Sequence, residues 1–136
     1  MPTFHKFSFL FLCFLFCCGS LPAQIFPLTT PSFTDTINSN KVVPLGNDEN
    51  CSSFFICVKD KVKKHKHEFH SEHVYILEGE GDMILGTRQF KIKKGDFFII
   101  PKGTPHAVTV TSVIPLKLIS IQAPGFDGSD RVWVEE

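Results

Sequence analysis

The sequence predicts an all-β domain, and three observations predict it. After residue 40 no stretch carries the 3.6-residue apolar period of an amphipathic helix. Short runs rich in Val, Ile, Phe and Thr recur instead, each bounded by Gly, Pro or Asp turn signals. About seven such runs at this spacing can bury their apolar faces only by closing into a sandwich or barrel.

The segment before the barrel has a different character. Met1–Lys6 carries one Lys and one His, Phe7–Cys18 is almost wholly apolar, and Gly19–Ala23 supplies small residues and a Pro. This is the outline of a secretory signal peptide spanning residues 1–23, with cleavage points that fit after Ala23 or Ser20. Its apolar run of about 12 residues falls short of the roughly 18 needed to cross a bilayer, so no stable membrane insertion is expected after cleavage. Bulky Phe16 and Cys17 before Cys18 also argue against a lipid-anchored cysteine. The mature chain is therefore expected in a periplasm or outside the cell.

Removing the leader takes six of the 15 Phe and three of the five Cys and leaves roughly 113 residues, enough for one modest core. The full chain has 14 basic and 14 acidic residues, a balance that gives no reason to expect nucleic acid as a partner. Residues 24–50 carry several Pro, Ser, Thr and Asn with no period, and read as an extended N-terminal arm. The barrel and its C-terminal tail then occupy residues 51–136.

Within the barrel the expected strands are 53–58, 73–77, 82–86, 89–92, 97–100, 106–111 and 116–121. The turns between them are Glu78–Gly81, Gly86–Thr87, Lys94–Asp96 and Pro101–Gly103, with Ala123–Gly125 closing the last strand. The basic run Lys59–Lys66 reads as a solvated strand edge or loop. The end of the chain, Asp127–Glu136, reads as a short strand or a tail packed by Trp133. Cys51 and Cys57 would be nearly 20 Å apart on one unbroken strand, so a disulfide requires Cys51 to fold back. Otherwise both are free or pair between chains.

Strand parity sorts the histidines, because alternate side chains point to opposite faces. His65 and His67 share a face. On the next strand Glu72, Val74 and Ile76 share one face, while His73, Tyr75 and Leu77 share the other. His106 opens a later strand after a tight Pro-containing turn. Three imidazoles and one carboxylate converging from three strands suit a divalent transition ion. His70 and His73 are assigned to the loop and the outer face, Glu68 to solvent. The outward Tyr75 and Leu77, with the arm, suggest a homodimer.

These residues resemble the two sequence motifs of the cupin superfamily. "HKHEFHSEHVYILEG" fits the first, as His65-x-His67, four residues, Glu72, six residues, Gly79. "GDFFIIPKGTPHAVTV" fits the second, through Gly95, Pro101-x-Gly103 and His106. The fifteen residues between Gly79 and Gly95 resemble the short hairpin of small single-domain cupins, and the similarity covers residues 53–122. Lys59 and Val110 depart from the pattern, where Gly and Asn are usual.

The resemblance implies a cupin barrel, a double-stranded β-helix or jelly roll, with His65, His67, Glu72 and His106 holding one divalent metal ion. Nitrogen and oxygen donors do not choose among Zn, Cu, Mn, Fe and Ni; export favours Zn or Cu. It also implies a metal-dependent enzyme of dioxygenase, decarboxylase or isomerase type acting on a small oxygenated organic molecule. Glu72 is then the ligand best placed to take a proton. The alternative is a non-catalytic binding module for a sugar, a small carboxylate or a metal ion. In either case acid should release the ion by protonating the histidines.

Overall fold

The structure is a computed structural model that describes residues 23–28, 39–126 and 128–135. Nearly all of the expected signal peptide, residues 1–22, and part of the expected arm lie outside the described residues. Among the described residues every regular element is a strand, ten in all, arranged as two five-stranded antiparallel sheets in a jelly roll.

The first sheet has the order β1-β2-β9-β4-β7. Its strands are β1 (Lys41–Asn47), β2 (Ser52–Val58), β4 (Ser71–Glu78), β7 (Phe97–Ile100) and β9 (Leu116–Ala123). The second has the order β10-β3-β8-β5-β6. Its strands are β3 (Lys61–Lys66), β5 (Glu80–Leu85), β6 (Arg88–Lys93), β8 (His106–Val110) and the two-residue β10 (Val132–Trp133). The seven strands expected from sequence are all present, with ends that differ by no more than two residues. β1 lies in the stretch read as an arm, where Val42 and Val43 pair with Ile56 and Phe55 of β2.

Parity places the core as the sequence suggests. Val74 and Ile76 of β4 face inward with Leu116 and Leu118 of β9, and meet Met83 and Val108 from the opposite sheet. The outer face of the first sheet exposes Tyr75, Phe97, Ile99 and Ile121, which are register neighbours or near neighbours across β4, β7 and β9. Gly79, at φ +84°, makes the sharp passage from β4 to β5, and a Cβ there would come within 2.7 Å of the Pro115 carbonyl oxygen.

Three local readings change. Lys61–Lys66 is a paired strand between β8 and β10 rather than a free edge. Lys59 stands in an ordinary backbone conformation where the pattern has Gly. The turn is braced by Asn40, whose side chain accepts from the Lys59 N–H at 2.9 Å and donates to the Lys61 carbonyl at 2.7 Å. Of the two readings of the chain's end, the short strand is the one found, as β10; Trp133 does not pack a tail down but is 60% exposed, because β10 covers the β3 edge with backbone hydrogen bonds rather than with the indole. Cys51 and Cys57 are free; Cys57 is buried in β2, and loss of solvent around its thiol raises its pKa.

Candidate metal centre

Strand register assembles the centre. β3 and β8 are antiparallel with His65 directly opposite His106, and their rings lie 4.2 Å apart. His67 follows β3 in the connecting loop, where its carbonyl accepts from the Gly103 N–H at 2.5 Å. The Pro101–Gly103 turn is thereby fixed against the histidine loop before the chain returns to His106. Glu72 comes from β4 in the facing sheet, on the inward face shared with Val74 and Ile76. All four side chains expected from sequence are buried and brought together between the sheets.

Hydrogen bonds decide how the imidazoles present themselves. Each Nδ1 lies against a backbone carbonyl: His65 on Lys63 at 2.8 Å, His67 on Asp130 at 2.8 Å, His106 on Thr104 at 3.0 Å. A carbonyl only accepts, so each Nδ1 carries the proton and each Nε2 is left as a lone pair, the arrangement a metal-binding imidazole requires. One ring nitrogen from each of the three lies within 4.8 Å of the others.

Glu72 Oε2 stands 3.8 Å from His67 Nε2 and 3.6 Å from His106 Nε2. Those distances are too long for hydrogen bonds. They match two donors sharing one ion, since bonds of about 2.1 Å set ligand atoms roughly 3 to 4 Å apart. The other oxygen, Oε1, accepts from the Ser120 hydroxyl at 2.6 Å, which fixes the carboxylate's rotation. His67 Nε2 is buried with no hydrogen-bond partner. An orphaned lone pair in a buried polar cluster costs free energy unless something accepts it, and the donor set fits a divalent ion.

Burial also keeps two of the four candidate ligands, His65 and His106, neutral. Loss of solvent, reinforced by the neighbouring His106, lowers the His65 pKa to about 4. Burial lowers that of His106 to about 4 as well, against the opposing hydrogen bond to Thr104. At neutral pH both imidazoles offer lone pairs rather than charges that would repel an ion.

The sequence reading missed a second cluster beside the first. His70, assigned to a solvated loop, is 2% exposed, and its ring stacks on His67 at 4.1 Å. Its Nδ1 donates to Asp130 Oδ2 at 2.8 Å. The same carboxylate accepts the Glu68 N–H at 2.6 Å and the Phe69 N–H at 3.0 Å. Burial alone would raise the Asp130 pKa, but the N–H groups of Phe69 and Glu68 outweigh it and hold the pKa below its usual value. Burial, with His67 alongside, lowers the pKa of His70. Asp130 thus grips the loop between His67 and His70 with its side chain and orients His67 with its carbonyl. His73 is half-buried on the outer face that parity assigns it, beside Phe97, and Glu68, read as a solvated acid, is exposed and pairs with Lys66 at 2.6 Å.

A cavity of about 330 Å³ runs from the centre into the barrel, with His65, Glu72 and His106 in its wall. Its floor is apolar and includes Val74, Met83, Ile100, Val108 and Leu118.

Comparison with known proteins agrees with this architecture. Residues 55–122 match the family described as Cupin domain. An uncharacterised protein of Aquifex aeolicus is 33% identical over 100 residues, covering 74% of this chain and 82% of that one. Quercetin 2,3-dioxygenase of Bacillus subtilis is 32% identical over 66 residues, 48% of this chain but 19% of that enzyme. A crystal structure of a conserved Klebsiella pneumoniae protein with a double-stranded β-helix domain superposes with a TM-score of 0.71 at 17% identity, covering 85% of this chain and 100% of that one.

Proposed function

The chain belongs to the cupin family, and on that premise we propose that it is an exported metalloprotein with one divalent transition ion on His65, His67, Glu72 and His106. We propose further that it is an enzyme acting on a small oxygenated organic substrate in the adjoining cavity. One observation carries the reading. Three imidazoles are locked by backbone carbonyls into the tautomer that leaves Nε2 as a lone pair, two of those nitrogens lie within 3.8 Å of Glu72 Oε2, and one is buried without a partner.

A bound ion would supply Lewis-acid chemistry and, if redox-active, electron exchange. The chain's own residues do the rest. His65, His67 and His106 hold neutral nitrogen donors in fixed orientation. Glu72 is the only acid in the cavity wall among the described residues, and its Oε2, if it loosens from a bound ion, is the atom suited to take a proton from a substrate carbon or hydroxyl. Ser120, donating to Oε1, keeps the proton-accepting oxygen turned inward. The apolar floor excludes water from that oxygen.

The exposed cluster of Tyr75, Phe97, Ile99 and Ile121 supports a homodimer through the outer face of the first sheet.

The test begins with elemental analysis of protein purified without chelating resin. About one equivalent of Zn or Cu, absent from the His65→Ala/His67→Ala double variant, is expected. Mn or Fe as the main metal would overturn the argument from export, and no metal after reconstitution would overturn the centre. A Glu72→Gln variant that holds metal should lose turnover of diols, diketones or carboxylic acids. Activity that survives it would remove Glu72 from proton transfer.

A further inference from the structure

The cavity's rim and floor differ in a way that selects a ligand. Six of its lining residues are exposed: Asn40 and Val42 from the β1 side, Lys61 and Lys63 from β3, Arg131 just before β10, and Trp133 in it. They lie along the gap between the β1 edge of one sheet and the β3–β10 edge of the other, so this gap is the mouth. The rim carries three cations and no acid among the described residues. Arg131 lies over the Trp133 ring at 5.9 Å, and Trp133 lies 5.6 Å from His65. A guanidinium is therefore held beside a cluster built to take a cation, an arrangement that repels unless an anion stands between.

The floor argues against a polyhydroxylated ligand. Apart from its charged groups and histidines, the wall's one side chain with an amide or hydroxyl is Asn40, at the rim. Each sugar hydroxyl buried against Val, Ile, Leu or Met would lose its hydrogen bonds to water without replacement. A volume of about 330 Å³ holds roughly ten to fifteen non-hydrogen atoms at about 30 Å³ per water displaced.

We propose that the occupant is an aryl or alkyl carboxylate of about that size, with its apolar body in the barrel and its carboxylate at the rim against Arg131 and Lys63. The proposal rests on the catalytic-cavity reading above and names the substrate class for it. Arg131 and Trp133 lie beyond residues 55–122, so the tail adds to this selectivity a charge that the part of the chain covered by the family match does not supply.

The experiment uses the chain's single tryptophan, Trp133, as a reporter at the rim. Fluorescence titrations of the full mature chain, with and without Zn, would compare 4-phenylbutyrate, its neutral amide, and glucose 6-phosphate. The acid is expected to bind at least about tenfold tighter than the amide, the worth of one charge-assisted contact. Arg131→Gln, at an exposed position, should remove most of that preference. An amide that binds as tightly as the acid, a tighter glucose 6-phosphate, or no binding by any of the three overturns the proposal. So does a preference that needs Zn and survives Arg131→Gln, because the ion alone would then read the carboxylate. Failure to load Zn would sink the metal reading, while the metal-free titrations would still decide this one.

Discussion

Replacing Asp130 by Ala removes an acceptor shared by three donors: the N–H groups of Glu68 and Phe69 and Nδ1 of His70. Hydrogen bonds to a charged group contribute about 1.5 to 3 kcal/mol each. The three are not equal, because Glu68 and Phe69 are exposed and water can reach their amides once the tail lifts. His70 is buried, and its Nδ1 would be left without a partner. The expected loss is about 3 to 5 kcal/mol, the full worth of the His70 bond with about half of each of the other two. With a urea m-value of about 2 kcal/mol/M for a domain of this size, the unfolding midpoint of the metal-free protein should fall by about 2 M. Metal should respond as well: Ala keeps the backbone carbonyl at 130 that orients His67 Nδ1, but the tail that presents it loses its side-chain anchor. A tenfold to hundredfold weaker ion affinity is expected, as for other groups that orient a ligand imidazole. Asp130→Asn keeps one acceptor oxygen and should fall between the two. A midpoint shift below about 0.5 M would show that water replaces the carboxylate, refuting the stability argument. A large shift with unchanged ion affinity would confine Asp130 to scaffolding.

Acid should strip the ion late: with His65 and His106 titrating at about 4, metal content at pH 5.5 should equal that at pH 7 and fall only as pH approaches 4. Dialysis followed by elemental analysis checks this, and half-loss at pH 6 would contradict the burial argument. The metal-free protein should lose stability over a wider interval that begins at higher pH. The unfolded chain takes up protons as pH falls through about 6.5 while the folded histidines remain neutral to about 4, so stability present above 6.5 declines between those values. Urea midpoints across that range would show it, and a flat profile would refute it. Gly79→Ala should cost about 2 to 4 kcal/mol, combining a left-handed backbone with an overpacked Cβ against Pro115; an unchanged urea midpoint would rule that strain out. Ile99→Lys should convert a dimer to a monomer by light scattering, and a wild type that is already monomeric removes the outer-face interface.

Turn chemistry and strand parity made the barrel legible because both act over a few residues. Gly79, Gly95 and Gly103 all take positive φ where the sequence placed turns. The 72–74–76 alternation put Glu72 and the core on one face. Partners distant in sequence were not legible. Nothing near His70 marks it as buried, because its partner Asp130 stands sixty residues later in a tail with no periodicity. Lys61–Lys66 looked solvated because Lys side chains dominate the run, yet its backbone is hydrogen-bonded on both sides to strands that arrive later. Val42 in β1 gave no signal either, since a strand at a sheet edge can pair along one side while exposing its side chains.

The tail shows why a family pattern fixes the coordination point better than the ligand. His65, His67, Glu72 and His106 are set by the register of β3, β4 and β8 and by the Pro101–Gly103 turn, all within the matched residues. The tail reaches the same site through Asp130, Arg131 and Trp133, and each does something different there. Asp130 fixes the tautomer of His67, Arg131 puts a positive charge at the mouth, and Trp133 lays an exposed indole beside His65. A two-residue strand adds little stability, with Val132 and Trp133 pairing to Lys66 and His65 and the Val134 N–H donating to the Lys64 carbonyl at 3.1 Å. Asp130 is the buried anchor that adds to these edge contacts. The Asp130→Ala variant should therefore lose carboxylate selectivity together with ion affinity, although Asp130 does not line the cavity. Retained selectivity in that variant would mean that the rim forms without the Asp130 anchor.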